Sequence, residues 1–203
     1  IVALMNNVIS KRSSSIVNLI LCGMLISSLF NAFVSFIKFI ADTDTKLPAI
    51  TFWLMGSLSA TTLKELHVFW LFLPAAIILI LVRWKVNLLS LGDEEAHMLG
   101  VNVRFYRWLI IGCATLLTSL SVSVSGNIGW IGLVVPHFAR MVTGSNYGRL
   151  LPVSLLIGSA FMLLVDTVAR MLLTVEVPLS IITAIVGAPF FFFLLVRFRK
   201  GFI

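Results

Sequence analysis

Hydrophobic residues in this chain run in long blocks. They show neither the alternation of a half-buried strand nor the one-sided stripe of a surface helix. Six blocks, at about 16–38, 67–83, 107–125, 126–143, 152–171 and 178–196, approach the roughly 20 residues a helix needs to cross a bilayer. Hydrocarbon offers backbone amides no partner, so such blocks must form helices or a closed barrel. Their length favours an all-α, polytopic transmembrane bundle. "SGNIGW" separates the third block from the fourth and predicts a tight reversal. Between the first two lies "ADTDTKLPAITFWLMGSLSATTLKEL", whose apolar part, Leu47 to Leu58, is too short to span. Pro48 suits a helix start and Trp53 a lipid–water boundary. A short helix is predicted there, at the surface or dipping partway in.

Composition strengthens this reading. Hydrophobic residues make up 60% of the chain and charged residues 11%, with a mean hydropathy of +1.09. Soluble domains hold about 25% charged residues, so a larger soluble core does not explain the excess. The net charge of +7 could suggest nucleic acid. Its carriers sit at the ends of apolar blocks, however, so membrane lipid and not nucleic acid is the predicted environment. Lys11, Arg12, Arg83, Lys85, Arg104, Arg107, Arg140, Arg149, Arg197, Arg199 and Lys200 fall on one side, and Lys38, Lys46, Lys64 and Arg170 on the other. The richer side is predicted to be cytoplasmic, which places the C-terminus inside. Asp42, Asp44, Glu65 and Glu176 then lie outside. Cys22 and Cys113 have no metal-ligand spacing and predict free buried thiols. The chain starts at Ile1, and residues 1–9 resemble the tail of a further span, so N-terminal truncation is expected.

One segment breaks the oily pattern. "SLGDEEAHMLGV", Ser90 to Val101, carries Asp93, Glu94 and Glu95 in succession. Ser90 fits an N-cap with Asp93 as its capping-box partner. The acids fit the first turn of a helix, and Gly100 fits its stop. About two and a half turns are predicted, with Leu91, Ala96 and Leu99 as a small apolar side. A helix this short is marginal alone, so something must hold it. It either rests on its own membrane domain or docks into a cleft of a soluble partner.

Several long motifs resemble one family. "NLLSLGDEEAHMLGVNV", "SGNIGWIGLVVPHFAR", "GRLLPVSLLIGSAFMLLVDTVAR" and "VPLSIITAIVGAPFFFFLLVR" look like the FecCD, or BtuC-like, permeases of ATP-binding cassette importers. The resemblance covers about Trp53 to Arg199. It implies a BtuC-like type II permease fold, with about six spans of a typical ten, and a single permease domain over 1–203. It further implies that 86–104 is the cytoplasmic coupling region, in which Ser90, Leu91, Gly92, Asp93, Glu94, Glu95, Ala96, Leu99 and Gly100 contact an ATPase subunit. ATP and Mg would then belong to that partner, and this chain would hold no cofactor or metal. Other implied partners are a periplasmic or lipid-anchored substrate-binding protein and a second permease subunit. The implied setting is the bacterial cytoplasmic membrane.

Motifs within the blocks have both structural and functional readings. Gly126, Gly129 and Gly132 are three apart and predict close helix packing on one face, since no phosphate-binding context surrounds them. Pro136 can bend its span. His137, with His67 and His97 on other segments, reads as a hydrogen-bonded structural histidine. Thr118, Ser119, Ser121, Ser123 and Ser125 alternate like a strand, but a helix with inward-bonding hydroxyls avoids open backbone groups. Asp166 and Arg170 form an i,i+4 pair in "VDTVARMLLTVEVP". Each charge would cost roughly 2.5–3.5 kcal/mol near a bilayer centre, and the orientation read from Lys and Arg places the pair toward the external end. It either fixes helix packing or, as the resemblance implies, meets a carboxylate of the binding protein. Thr183, Gly187 and Pro189 on the last block either pack helices or, as the resemblance implies, line the pathway.

The resemblance makes the expected function ATP-driven import of a metal chelate, with ferric siderophores first and haem, cobalamin or molybdate as alternatives. There is no GxxxxGK[ST] loop, so no ATP hydrolysis is expected from this chain. An ion-coupled secondary transporter is the competing class, but it needs acids or histidines deep in the spans. A membrane enzyme would need a paired carboxylate, metal or nucleophile constellation, and none is read here.

Overall fold

A computed structural model describes residues 16–59, 61–173 and 175–199. The predicted tail of an earlier span, at residues 1–9, lies outside the described residues, as do Lys11, Arg12 and Lys200. The described chain is helical. It forms α1 (Ile16–Ile40), α2 (Lys46–Leu54), a 3₁₀ segment (Leu63–Val68), α3 (Phe69–Leu89), α4 (Asp93–Met98), α5 (Val103–Ser125), α6 (Ile131–Thr143), α7 (Tyr147–Met171) and α8 (Leu179–Arg199). Two compact units divide at Thr51 and Phe52.

In the first unit, α1 is apolar all round. Leu25, Phe33, Phe36 and Ile40 each keep half or more of their surface exposed. A soluble protein does not tolerate such a face, whereas lipid does. Asp42 stops the chain after α1: its carboxylate accepts the Asp44 amide at 2.8 Å, and its carbonyl accepts the Leu47 amide at 2.8 Å. Pro48 is the third residue of α2, where its missing N–H costs nothing. With nine residues α2 is too short to span, as predicted.

Among the described residues, four stretches are long and apolar enough to cross a membrane: Ile20–Ile40, Leu63–Leu89, Val103–Ser125 and Tyr147–Met171. They correspond to the first, second, third and fifth predicted blocks. The helices extend beyond those blocks because they continue through charged ends. Arg83 and Lys85 lie within α3, Arg104 and Arg107 within α5, and Arg149 within α7. Long cationic side chains allow this by reaching past the apolar surface with their stems. The predicted fourth span is corrected. α6 has only 13 residues, about 20 Å of helix, against a hydrocarbon core of about 30 Å. Residues 126–130 are not helical, because Gly126 and Trp130 both adopt positive φ, 68° and 66°. The sixth predicted block falls on α8, which runs from Leu179 to Arg199 and is 21 residues long.

Packing in the second unit relies on small side chains. Ala75, Ala96, Cys113, Val134, Val135, Ala139, Val165 and Ala169 are buried, together with Leu150 and Leu179. Small residues let helix backbones approach where lipid removes the usual hydrophobic drive. One core joins Val165 and Ala169 of α7 to Leu179 of α8, with Ile128, Phe161 and Ile182 against it. Cys22 and Cys113 are free and buried.

Candidate functional site

The acidic segment lies between two helices of spanning length, and its local structure differs from the prediction. Ser90 is not its N-cap. It caps the C-terminus of α3, and its hydroxyl donates to the Asn87 carbonyl at 2.6 Å. The predicted capping box with Asp93 does not form. Gly92 takes the N-cap position at φ 128°, a backbone conformation that leaves no side chain to cap. α4 is therefore six residues long, not two and a half turns. Asp93, Glu94 and Glu95 do fill its first turn. Gly100, at φ 75°, ends it in a Schellman arrangement: the Val101 amide donates to the Ala96 carbonyl and the Gly100 amide to the His97 carbonyl, each at 3.0 Å.

What holds so short a helix is also visible. Ala96 is fully buried and Val101 is 2% exposed, which anchors the inner face. Asp93 pairs with Arg107 of α5 through a short contact whose partners are both more than half exposed. Val101 and Arg107 were not among the predicted site residues. Val101 follows the glycine stop, where a Schellman motif commonly seats an apolar residue, so it could have been found. Arg107 is 14 residues away, with no local signal. Glu94 and Glu95 remain exposed, as do Leu91 (59%), Leu99 (56%) and Met98 (80%). The predicted apolar side thus splits: Ala96 faces inward, while Leu91 and Leu99 face out. The result is a braced knob whose outer surface mixes two free carboxylates with bare apolar side chains. It can bind a complementary surface, and it carries no group arranged for bond-making chemistry.

Near the knob, the last turn of α3 grips the start of α7. The Asn87 Oδ1 accepts the Tyr147 amide at 2.8 Å, and the Asn87 Nδ2 donates to the Asn146 Oδ1 at 3.2 Å. Asn146 in turn N-caps α7, accepting the Gly148 amide at 2.9 Å. Asn87 and Asn146 were not predicted.

At the other end of α7, Arg170 donates from Nε to Asp166 Oδ2 at 2.9 Å, and its Nη1 lies 3.9 Å from Glu176 Oε1. The arginine is 46% exposed and Asp166 25%. The predicted pair forms and leaves much of the guanidinium open. The Val177 amide donates to the Ala169 carbonyl at 3.2 Å, tying the following loop to the helix end.

Beyond that loop, three separated segments meet. The Leu179 amide donates to the Gly56 carbonyl at 2.9 Å, the Ser180 hydroxyl to the Asn127 carbonyl at 2.6 Å, and the Ser57 amide to the Ser125 carbonyl at 2.9 Å. Gly126 is pressed into this junction, and a Cβ there would collide with the Trp53 carbonyl. The predicted glycine face is corrected accordingly. Gly126 and Gly129 are outside any helix, and nothing lies within 4 Å of a Cβ built on Gly129 or Gly132. Among the described residues, only Gly126 of the three marks a close approach. Thr183 is 1% exposed and bonds the Ser180 carbonyl, so here it packs. Gly187 makes room for Trp130, whose Cβ would stand 2.6 Å from a Cβ at 187. Pro136 and Pro189 lie inside α6 and α8, and Pro189 is exposed. His137 donates to the Leu133 carbonyl at 2.9 Å and meets Phe191 edge-on. The hydroxyls of Thr118, Ser119, Ser121, Ser123 and Ser125 bond carbonyls three or four residues back along α5, which answers their strand-like spacing. Among the described residues, no group of three or more His, Cys, Asp or Glu could hold a metal ion.

The chain is similar to known proteins. Residues 1–197 match the model of the FecCD transport family. The chain is 46% identical over 188 residues to the molybdate import system permease protein MolB of Haemophilus influenzae, covering 92% of this chain and 56% of that protein. It is 42% identical over 196 residues to the probable iron chelatin transport system permease protein of Helicobacter pylori, covering 96% of this chain and 59% of the other. Among solved structures, a metal-chelate type ABC transporter in an inward-facing conformation matches with a TM-score of 0.87 at 45% identity, covering 97% of this chain and 63% of that one. The chain therefore spans a little over half the length of the curated relatives it matches. Its helices of spanning length make it an integral membrane protein, and it belongs to the FecCD transport family.

Proposed function

We propose that this chain is part of the permease subunit of an ATP-binding cassette importer that moves a metal-containing chelate or oxyanion across the cytoplasmic membrane. The observation that carries the reading is the α4 knob, braced by Ala96 and Val101 and bare on its outer face, in a chain of this family. The knob faces the cytoplasm and docks on an ATPase subunit, which holds ATP and Mg. Ser90 to Gly100 form the docking surface, with Glu94 and Glu95 as its free charges. Arg170, steadied by Asp166, receives a carboxylate of a substrate-binding protein on the other side. A second permease subunit completes the pathway.

The relatives carry diverse cargoes: the named substrates include molybdate, an iron chelatin and hemin. A ferric siderophore and a metal oxyanion therefore stand side by side for this chain, and the binding protein selects between them. The test is uptake in proteoliposomes holding the intact permease, its ATPase and its binding protein. Uptake that requires ATP inside and ignores ionophores supports the reading. Uptake without ATP that collapses with an ionophore would replace it with ion-coupled transport.

A further inference from the structure

We propose that Asn87 is a positioning residue that hands movement of the docking knob to α7, and so to the Arg170 end of the protein. The inference rests on the reading of the knob given above. Asn87 is bonded in both directions. Its main-chain carbonyl holds the Ser90 hydroxyl at 2.6 Å, where the docking segment begins. Its side-chain amide uses both ends on α7: Oδ1 takes the Tyr147 amide and Nδ2 reaches Asn146. The amides of Tyr147 and Gly148 belong to the first turn of α7, where no intrahelical acceptor exists. Asn87 and Asn146 supply those acceptors together, so the bracket is built into the helix start. The partners are 59 and 60 residues apart in sequence, so the bracket joins two separate helices.

The knob is also packed inward through Ala96 and Val101 and paired to α5 through Asp93 and Arg107. The Asp93–Arg107 pair to α5 is more than half exposed on both sides, and solvent screens such pairs strongly. α7 is 25 residues long, about 37 Å of continuous helix. It begins at the bracket and carries Arg170 in its last turn. A shift of the α3 end thus reaches the far side through one helix, whose single interior proline, Pro152, lies near the bracket end.

The same change, amide to carboxylate, tests both ends with opposite expectations. Asn146→Asp keeps every bond, because Asn146 uses only its oxygen as acceptor. Asn87→Asp keeps the Tyr147 bond but loses the donor and sets a carboxylate against the Asn146 oxygen. Intact permease variants are assembled with the ATPase and binding protein, and uptake per ATP hydrolysed is measured beside complex yield. Asn87→Asp is expected to assemble normally but to lower uptake per ATP about tenfold. Asn87→Leu, which removes both bonds, is expected to do the same, and Asn146→Asp to stay within about twofold of the parent. Parent-like coupling in Asn87→Asp, equal losses in both Asp variants, or loss of assembly in Asn87→Asp would each overturn the proposal. A parent complex that transports without ATP would instead remove the reading beneath it.

Discussion

The α4 knob and the junction around Gly126 are built in opposite ways. The junction turns its polar groups inward: amides and hydroxyls of residues 57, 179 and 180 close on carbonyls of residues 56, 125 and 127, and Gly126 leaves no spare volume. The knob is held by its backbone, by one ion pair and by two small buried side chains, while its large and charged side chains point out. A region built like the first resists deformation. A region built like the second keeps its shape while offering side chains to another surface. Stability should therefore reside in the junction and recognition in the knob.

The sharpest way to break this contrast is Gly126→Val. A β-branched side chain at φ 68°, driven against the Trp53 carbonyl, should destabilise by about 3–5 kcal/mol. Thermal unfolding of the intact permease in detergent would show it, and an unchanged midpoint would mean the junction yields. The reverse pattern is expected from Glu94→Lys with Glu95→Lys. Unfolding should move by no more than about 0.5 kcal/mol, whereas ATPase assembly or coupled uptake should fall about tenfold. Arg170→Glu should reduce stimulation by the binding protein about fivefold and leave ATPase assembly intact. Stimulation at the parent level would confine Arg170 to its contacts with Asp166 and Glu176. Smallest of all, Gly132→Ala should change stability by less than about 1 kcal/mol, because open space surrounds the position. A large loss there would show a contact made with another chain.

Much of this was legible from sequence, and the gaps have a physical pattern. Helices of spanning length announce themselves through composition, because lipid demands continuous apolar surface. α2 was readable from its length and from Pro48, and the end of α4 from Gly100. Ser90 was misread because a serine between two helices can cap either one, and Gly92 settled the matter through its backbone. The shortened α6 was invisible because the cause lies far away: residues 126–130 are held out of the helix where Gly126 meets Trp53 and Trp130 meets Gly187. The Asn87 bracket was hidden for the same reason. Local pattern reports what a segment can do, and contacts dozens of residues apart decide what it does.

The central claim is that the α4 knob faces an ATPase. Met98 is 80% exposed on it, whereas Cys22 and Cys113 are buried, which makes Met98→Cys a direct probe in the intact permease. The account predicts that a short bifunctional thiol reagent joins this position to the ATPase subunit in the reconstituted complex, and that a membrane-impermeant maleimide added outside intact cells does not label it. Labelling from outside, or a complex that transports normally while the position never cross-links to the ATPase, would contradict it.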